Sequence, residues 1–348
     1  MANPGVSVPA IIGNVTDIIT SHLPGMATAF GVLGNDDNLE GYLTVITTDQ
    51  PTNPWFVKAG AVLSSHGVMT QDDVLRSYEY GSYFKLEVGG LTLLNIATVM
   101  YSVLHVPVSQ NGEPDPFGQF AWLRQELAEA AASNRSVWIV GHIPPGLESY
   151  GFTELWQPMY VKAYLDIVQD PVLGTAVAAQ LFGHNHKDEF RLLPTAPEGA
   201  GPILVSSSIS PIYLNNPSFK LVEYCPSTGR LLSFKVFYAE FPVEQGAVPQ
   251  WRFGYDLLDA YPSLRNSSGG RGQPGVRQID VEALARTLAE GLEEWATYAD
   301  WYATQWPNAL EDLAAFAEDS PAEAEYKAAR RAQYLCSLTV SDQASFEA

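Results

Sequence analysis

The sequence predicts a layered α/β domain followed by a mainly helical segment, and three observations carry that prediction. From residue 8 to 190, stretches of helical and strand periodicity alternate, which is the pattern of helices laid on a sheet. From 190 to 240 the apolar runs are short and mostly strand-like. A break at 262–277 (PSLRNSSGGRGQPGVR), rich in Gly, Ser, Arg and Pro, then separates them from helical patterns. We therefore expect one domain over 1–245 and a helical one over 246–348, with 262–277 as linker.

The elements follow in order. Ile11, Ile12, Val15, Ile18, Ile19 and Leu23 recur at helical spacing over 8–23, and Pro24-Gly25 stops that helix. Ala29 to Leu33 reads as a short buried strand. A helix over 54–66 precedes two β-rich runs, Tyr83 to Val88 and Leu91 to Ala97, joined by Gly89-Gly90 as a hairpin. Phe117 to Ala132 carries Phe120, Leu123 and Leu127 on one stripe and predicts an amphipathic helix. Ser136 to Val140 and Val177 to Phe182 are buried strands flanking a helix over Trp156 to Val168. Arg191-Leu-Leu, Ile203 to Ser206, Phe219 to Tyr224 and Leu231 to Tyr238 read as further strands. Helices are expected over Asp280 to Leu292 and Pro321 to Leu335, with an aromatic stretch between them.

Composition bounds the function. With 348 residues and 46% hydrophobic content, the chain can bury a large core. Asp plus Glu (39) outnumber Lys plus Arg (19), and the net charge of −20 repels nucleic acid and anionic membrane surfaces unless a bound cation reverses the field locally. Two cysteines, Cys225 and Cys336, cannot make a disulfide framework, and free thiols are expected, with a single bridge left open. The start lacks the pattern of a secretory signal, and no run is long enough to span a bilayer. Triplets for N-glycosylation stand at Asn14, Asn134 and Asn266, but they weigh little without an export signal.

The chemistry lies where strands end. Leu33 runs into Gly34-Asn35-Asp36-Asp37, Val140 into Gly141-His142, and Phe182 into Gly183-His184-Asn185-His186. In layered α/β folds the carboxyl ends of strands line the ligand crevice, and glycine lets the chain turn sharply there. Amide oxygen and imidazole nitrogen suit zinc, manganese or iron. Alternate residues of an extended segment project the same way, so His184 and His186 could serve separate metals. Each motif alone is an ordinary loop; their joint occurrence at successive strand ends points to a metal site.

These motifs resemble those of the calcineurin-like metallophosphoesterases, and more narrowly the acid sphingomyelinase and acid sphingomyelinase-like phosphodiesterase branch, to which endopolyphosphatases also belong. The carriers are GNDD, WIVGHIPPG and AQLFGHNHKDEF, with LLNIATVMYS, DPFGQFAWL and SSSISPIYLNNPSFKLVEY in that branch's order and spacing. The resemblance implies an αββα sandwich lacking its first strands, plus a helical C-terminal domain. It implies metal-dependent hydrolysis of a phosphodiester, either a small molecule or a phospholipid, at two divalent metals with zinc favoured. Asn35, His142 and His184 would ligate the second metal and His186 the first. Asp36 stands where most members have a histidine that protonates the leaving group. Asp188 and Glu189 would orient the histidines by hydrogen bonds. A secreted or lysosome- or vacuole-like location goes with the family, and a cytoplasmic one with the chain as written.

The family's first two motifs, Asp-x-His and Gly-Asp, supply the first metal's other ligands and the bridging aspartate. They would lie upstream of the helix over 8–23, and no Asp-x-His occurs in the sequence. The expectation is thus an N-terminally incomplete chain, inactive or nearly so, with at most one weak metal site. The alternatives are a non-catalytic binding or regulatory protein, or an endopolyphosphatase-like or nucleotide phosphodiesterase specificity. Asn95 is expected to order a loop, Tyr101 and His105 to have surface or packing roles rather than to face a substrate cleft, and His22 and His66 to be structural or exposed. The Trp/Tyr stretch over 295–306 is expected to be a helical core stripe, with a substrate-side role left open.

Overall fold

The computed structural model describes residues 7–23, 32–197, 199–241, 247–264, 275–290, 292–306 and 321–347. Its centre is a six-stranded sheet in the order β1-β2-β3-β4-β6-β5. The strands are β1 (Phe84–Val88), β2 (Leu91–Asn95), β3 (Val137–Val140), β4 (Val177–Phe182), β5 (Glu189–Arg191) and β6 (Ile203–Val205). β2, β3, β4 and β6 run parallel, while β1 and β5 close the two edges antiparallel. The mixed sheet gives the layered α/β architecture that was expected, and it is consistent with a calcineurin-like phosphoesterase fold.

Strand alternation divides the interior in two. Leu94, Val137, Ile139, Val177, Ile203 and Val205 face one core, and Leu91, Trp138, Ala179, Leu204 and Phe190 face the other. The first core is covered by helices α2 (Pro54–Ser65), α3 (Asp72–Gly81), α4 (Gln119–Ala132) and α5 (Pro158–Val168). The second is covered by a three-stranded antiparallel sheet, β7 (Ser218–Tyr224), β8 (Leu231–Ala239) and β9 (Trp251–Asp256), and by C-terminal helices. Those are α6 (Gln278–Glu290), α7 (Leu292–Tyr302) and α8 (Pro321–Ser337). Trp295, Tyr298 and Tyr302 are buried, so the aromatic stretch is core.

Several elements differ from expectation. α3 and β9 escaped the periodicity reading; β9 lies beyond residue 246 yet pairs with β8. α4 begins at Gln119 because Phe117 and Gly118 take left-handed conformations (φ 57° and 66°) that end the preceding turn. The strand expected over Ala29 to Leu33 falls largely outside the described residues, and 32–34 pairs with no strand among the described residues. Most of the expected linker, 265–274, also lies outside them, but Val276 is buried and its N–H bonds Leu231 O at 2.7 Å. The first helix, α1 (Val8–His22), lies on α2 through Gly13 and Thr16, with Asp17 contacting His66 Nδ1, while Ile11, Val15 and Ile18 are exposed. Among the described residues no helix is long and apolar enough to cross a membrane.

Candidate metal centre

Three loops at the carboxyl end of the sheet build the site. In the first, Asn35–Asp37 form a 3-10 turn. Asp37 locks it, its Oδ2 accepting from Gly34 N at 2.8 Å, and Asn38 Nδ2 donates to Gly34 O at 3.2 Å. Gly34 sits close under the ring: a Cβ there would lie 3.0 Å from His142 Cε1 and press on it. The second and third loops are tied together. Gly141 N donates to Leu181 O at 3.0 Å, and Gly183 N donates to His142 O at 2.9 Å. A Cβ at Gly141 would lie 2.6 Å from the Phe182 ring, so only glycine allows this approach.

The structure brings Asn35, His142 and His184 together. Asn35 Oδ1 lies 2.9 Å from His142 Nε2 and 3.0 Å from His184 Nδ1, and the two nitrogens are 3.3 Å apart. Two ligands bound to one zinc at about 2.0–2.1 Å are themselves separated by roughly 2.9–3.4 Å, so this triangle fits one divalent metal. Desolvation, aided by the neighbouring imidazoles, pushes the His142 pKa down to about 3. Desolvation and His186 push that of His184 down to about 4. Both rings are therefore neutral at neutral pH, the form in which an imidazole can ligate a cation. His184 pays backbone strain for its place, with φ of 74°.

His186 stands apart from the trio. It too is left-handed (φ 56°), its ring meets Tyr213 edge-on at 4.8 Å, and burial lowers its pKa. Its Nδ1 is buried and has no hydrogen-bond partner among the described residues, which suits a ligand nitrogen. Among the described residues no group of three or more His, Cys, Asp or Glu side chains forms a cage. The trio is two imidazoles and an amide, with no carboxylate joining it.

Asp36 is exposed, and its charge acts on Tyr42 and His186. Asp188 and Glu189 were expected to orient the histidines by hydrogen bonds; among the described residues their bonds go to other partners. Asp188 accepts from Lys220 Nζ at 2.7 Å and from Tyr255 OH at 3.0 Å. Glu189 accepts from Arg191 Nη2 at 2.9 Å, from Ser149 Oγ, and from Asn185 Nδ2 at 3.4 Å. At the start of β5 both carboxylates turn into the second core, where they need buried cationic partners. They brace the exit of the histidine loop, as does Asp188 N, which donates to Tyr302 O at 2.8 Å.

Sequence reasoning missed Asp37, Tyr42 and Tyr213. Asp37 was legible as an acid three residues beyond a turn glycine, able to reach back to its N–H. Tyr42 carried no signal. It is placed by long-range pairing, Val106 N donating to Tyr42 O at 3.1 Å, which sets its hydroxyl 3.5 Å from His184 Nε2. Burial, with nearby Tyr213, Asp36 and Glu148, pushes the Tyr42 pKa up to about 12, so it stays protonated. Of the residues named only in passing, His105 is buried and bonded to Asn111 Oδ1 (2.7 Å) and Thr44 O (2.8 Å), and Tyr101 stacks on Phe120. Both pack, as expected. Cys225 and Cys336 are free.

A mixed-sheet phosphoesterase fold with an amide and imidazoles gathered at strand ends defines the class. No family model matches the chain. It is 33% identical over 188 residues to sphingomyelinase phosphodiesterase D of Dictyostelium discoideum, covering 52% of this chain and 42% of that protein. It is 28% identical over 159 residues to human acid sphingomyelinase-like phosphodiesterase 3b (42% of this chain, 34% of the relative). It is 23% identical over 263 residues to the human cyclic GMP-AMP phosphodiesterase SMPDL3A (72% and 55%). These relatives are sphingomyelin phosphodiesterases and acid sphingomyelinase-like phosphodiesterases, and that is the branch the chain resembles. It spans about half the length of the curated relatives it matches.

Proposed function

We propose that this chain carries part of the centre of a metal-dependent phosphodiester hydrolase of the sphingomyelin phosphodiesterase-like type. The observation that carries this reading is the convergence of Asn35 Oδ1, His142 Nε2 and His184 Nδ1 within 3.3 Å of one another. A divalent metal held there, zinc by preference for this donor set, would polarise a phosphoryl oxygen. The chain's own residues hold and orient. The neutral imidazoles offer lone pairs, Asp37 fixes the turn that aims Asn35, and the Gly183–His142 bond fixes the distance between the rings. Asp36 is the candidate for protonating the leaving oxygen. His186 offers a further ligand for a second metal. Without a carboxylate at the trio, these residues by themselves are expected to bind one metal weakly and to turn over slowly.

A phospholipid is the substrate class that the rim favours. Ile209, Ile212, Tyr213 and Leu214 are all exposed on the loop between β6 and β7, next to His186. The loop is held open from beneath. Lys187 Nζ donates to Tyr213 O at 2.7 Å, and Asn215 Nδ2 to Ser210 O at 3.1 Å. Apolar side chains displayed rigidly beside a phosphate site suit a headgroup with acyl chains attached. The second reading is a nucleotide phosphodiester, whose bases exposed Tyr150 and Tyr213 could stack.

The test is zinc and cobalt titration of the purified chain, followed by turnover of bis-p-nitrophenyl phosphate, sphingomyelin vesicles and cyclic GMP-AMP. One bound metal, abolished by His142→Ala, is expected. No metal binding at all would overturn the reading in favour of a non-catalytic binding protein. Rapid turnover with two tight metals would overturn the expectation of low activity.

A further inference from the structure

A second cavity, of about 440 Å³, opens at the other end of the sheet, remote from the histidines. Thr92, Ser136 and Ala176, at the amino ends of β2, β3 and β4, line it, and the β7–β8 turn from Pro226 to Arg230 forms a wall. Two arginines, Arg135 and Arg230, and one acid, Glu87, are its charged lining residues. A locally positive recess is unexpected in a chain of net charge −20.

Backbone, not a carboxylate, orders Arg230. Its Nη1 donates to Gly199 O at 3.2 Å, and methyl groups on Gly199 and Gly275 would lie 3.2 Å from Nη2 and 3.0 Å from its Cβ. Among the described residues it makes no ion pair. Glu87 is already engaged, accepting from Thr92 Oγ1 at 2.9 Å and lying 3.6 Å from Arg135 Nη1. The turn itself is fixed, with buried Trp138 Nε1 donating to Gly229 O at 2.6 Å and Cys225 N to Arg230 O at 2.8 Å.

We propose that this recess binds a small phosphate-bearing molecule, with Arg230 and Arg135 gripping the phosphate oxygens and the Ser136 and Ser227 hydroxyls completing the shell. Planar guanidinium forks match phosphate geometry, and the volume suits a ligand of mononucleotide size or smaller. The site is independent of the metal centre.

Cys225 reports on it, because its Sγ lies 3.2 Å from Ser227 Oγ at the rim. Inorganic phosphate is expected to slow iodoacetamide alkylation of Cys225 ~5-fold near neutral pH, with Cys336 as the unprotected reference. The protection should persist in His142→Ala, which removes the metal centre, and disappear in Arg230→Met. Arg135→Met, at an exposed position, should also remove it and serves if Arg230→Met fails to fold. Absence of protection in the native chain would overturn the proposal. So would protection that survives both arginine variants, or that vanishes in His142→Ala and thereby belongs to the histidines.

Discussion

The backbone N–H of Gly183 donates to the carbonyl oxygen of His142 at 2.9 Å, so the two histidine-bearing loops move as one body. This bond, made past the last ladder pair of β3 and β4, holds His142 Nε2 and His184 Nδ1 3.3 Å apart. A preformed pair of this kind would bind a cation without first ordering its ligands.

Removing any member of the trio should therefore weaken cobalt or zinc binding sharply. His142→Ala and Asn35→Ala are each expected to lower affinity by about 100-fold, at the upper end of what supporting groups alone give. Gly34→Ala should mimic them in part, because its Cβ would press on the His142 ring. Asn35→Asp should strengthen binding by adding a charge. Titration followed by cobalt absorbance checks all four, and unchanged affinity in His142→Ala would remove the site from the chain.

The pH dependence of the metal-free protein follows from the same rings. His142 and His184 titrate near 3 and 4 when folded, against about 6.5 when unfolded. Between those limits the unfolded chain takes up protons that the folded chain refuses, so stability is complete above about pH 6.5 and falls as pH drops. The slope is at most about 1.4 kcal/mol per pH unit per ring. Urea unfolding across this range should show it, and His142→Asn should flatten it. A native chain equally stable at both ends contradicts the assigned burial of the rings.

The buried pair Glu189 and Arg191 should be costly to break. Both side chains are 0% exposed, and Arg191 Nη1 also donates to Leu147 O and Ser337 O, joining α8 to the histidine side of the sheet. Glu189→Ala leaves a buried guanidinium uncompensated, for an expected loss of about 3–5 kcal/mol. Thermal melts measure this. A loss below about 1 kcal/mol would mean that water reaches Arg191.

Substrate class can be separated from chemistry at the rim. Ile212→Ser with Leu214→Ser should depress turnover of sphingomyelin vesicles about 10-fold while leaving bis-p-nitrophenyl phosphate unchanged. Equal loss on both substrates would make the loop a structural support. Loss on cyclic GMP-AMP alone would favour the nucleotide reading.

The sequence determined the layered fold, most strands and helices of the main sheet, and the residues that meet at the trio. It could do so because period-2 and period-3.6 patterns and the strand-end Gly-Asn, Gly-His and Gly-His-x-His motifs are local signals. It did not show the partners of Asp188 and Glu189, whose carboxylates turn to Lys220, Tyr255 and Arg191. It was silent on Tyr42, brought to His184 by pairing with Val106, and on the arginine recess at the other sheet end. Those outcomes depend on which distant segments share the core, and burial decides them: a buried carboxylate must find a cation wherever the fold supplies one. The candidate ligands were written along the chain, but partnership and distance belonged to the tertiary structure.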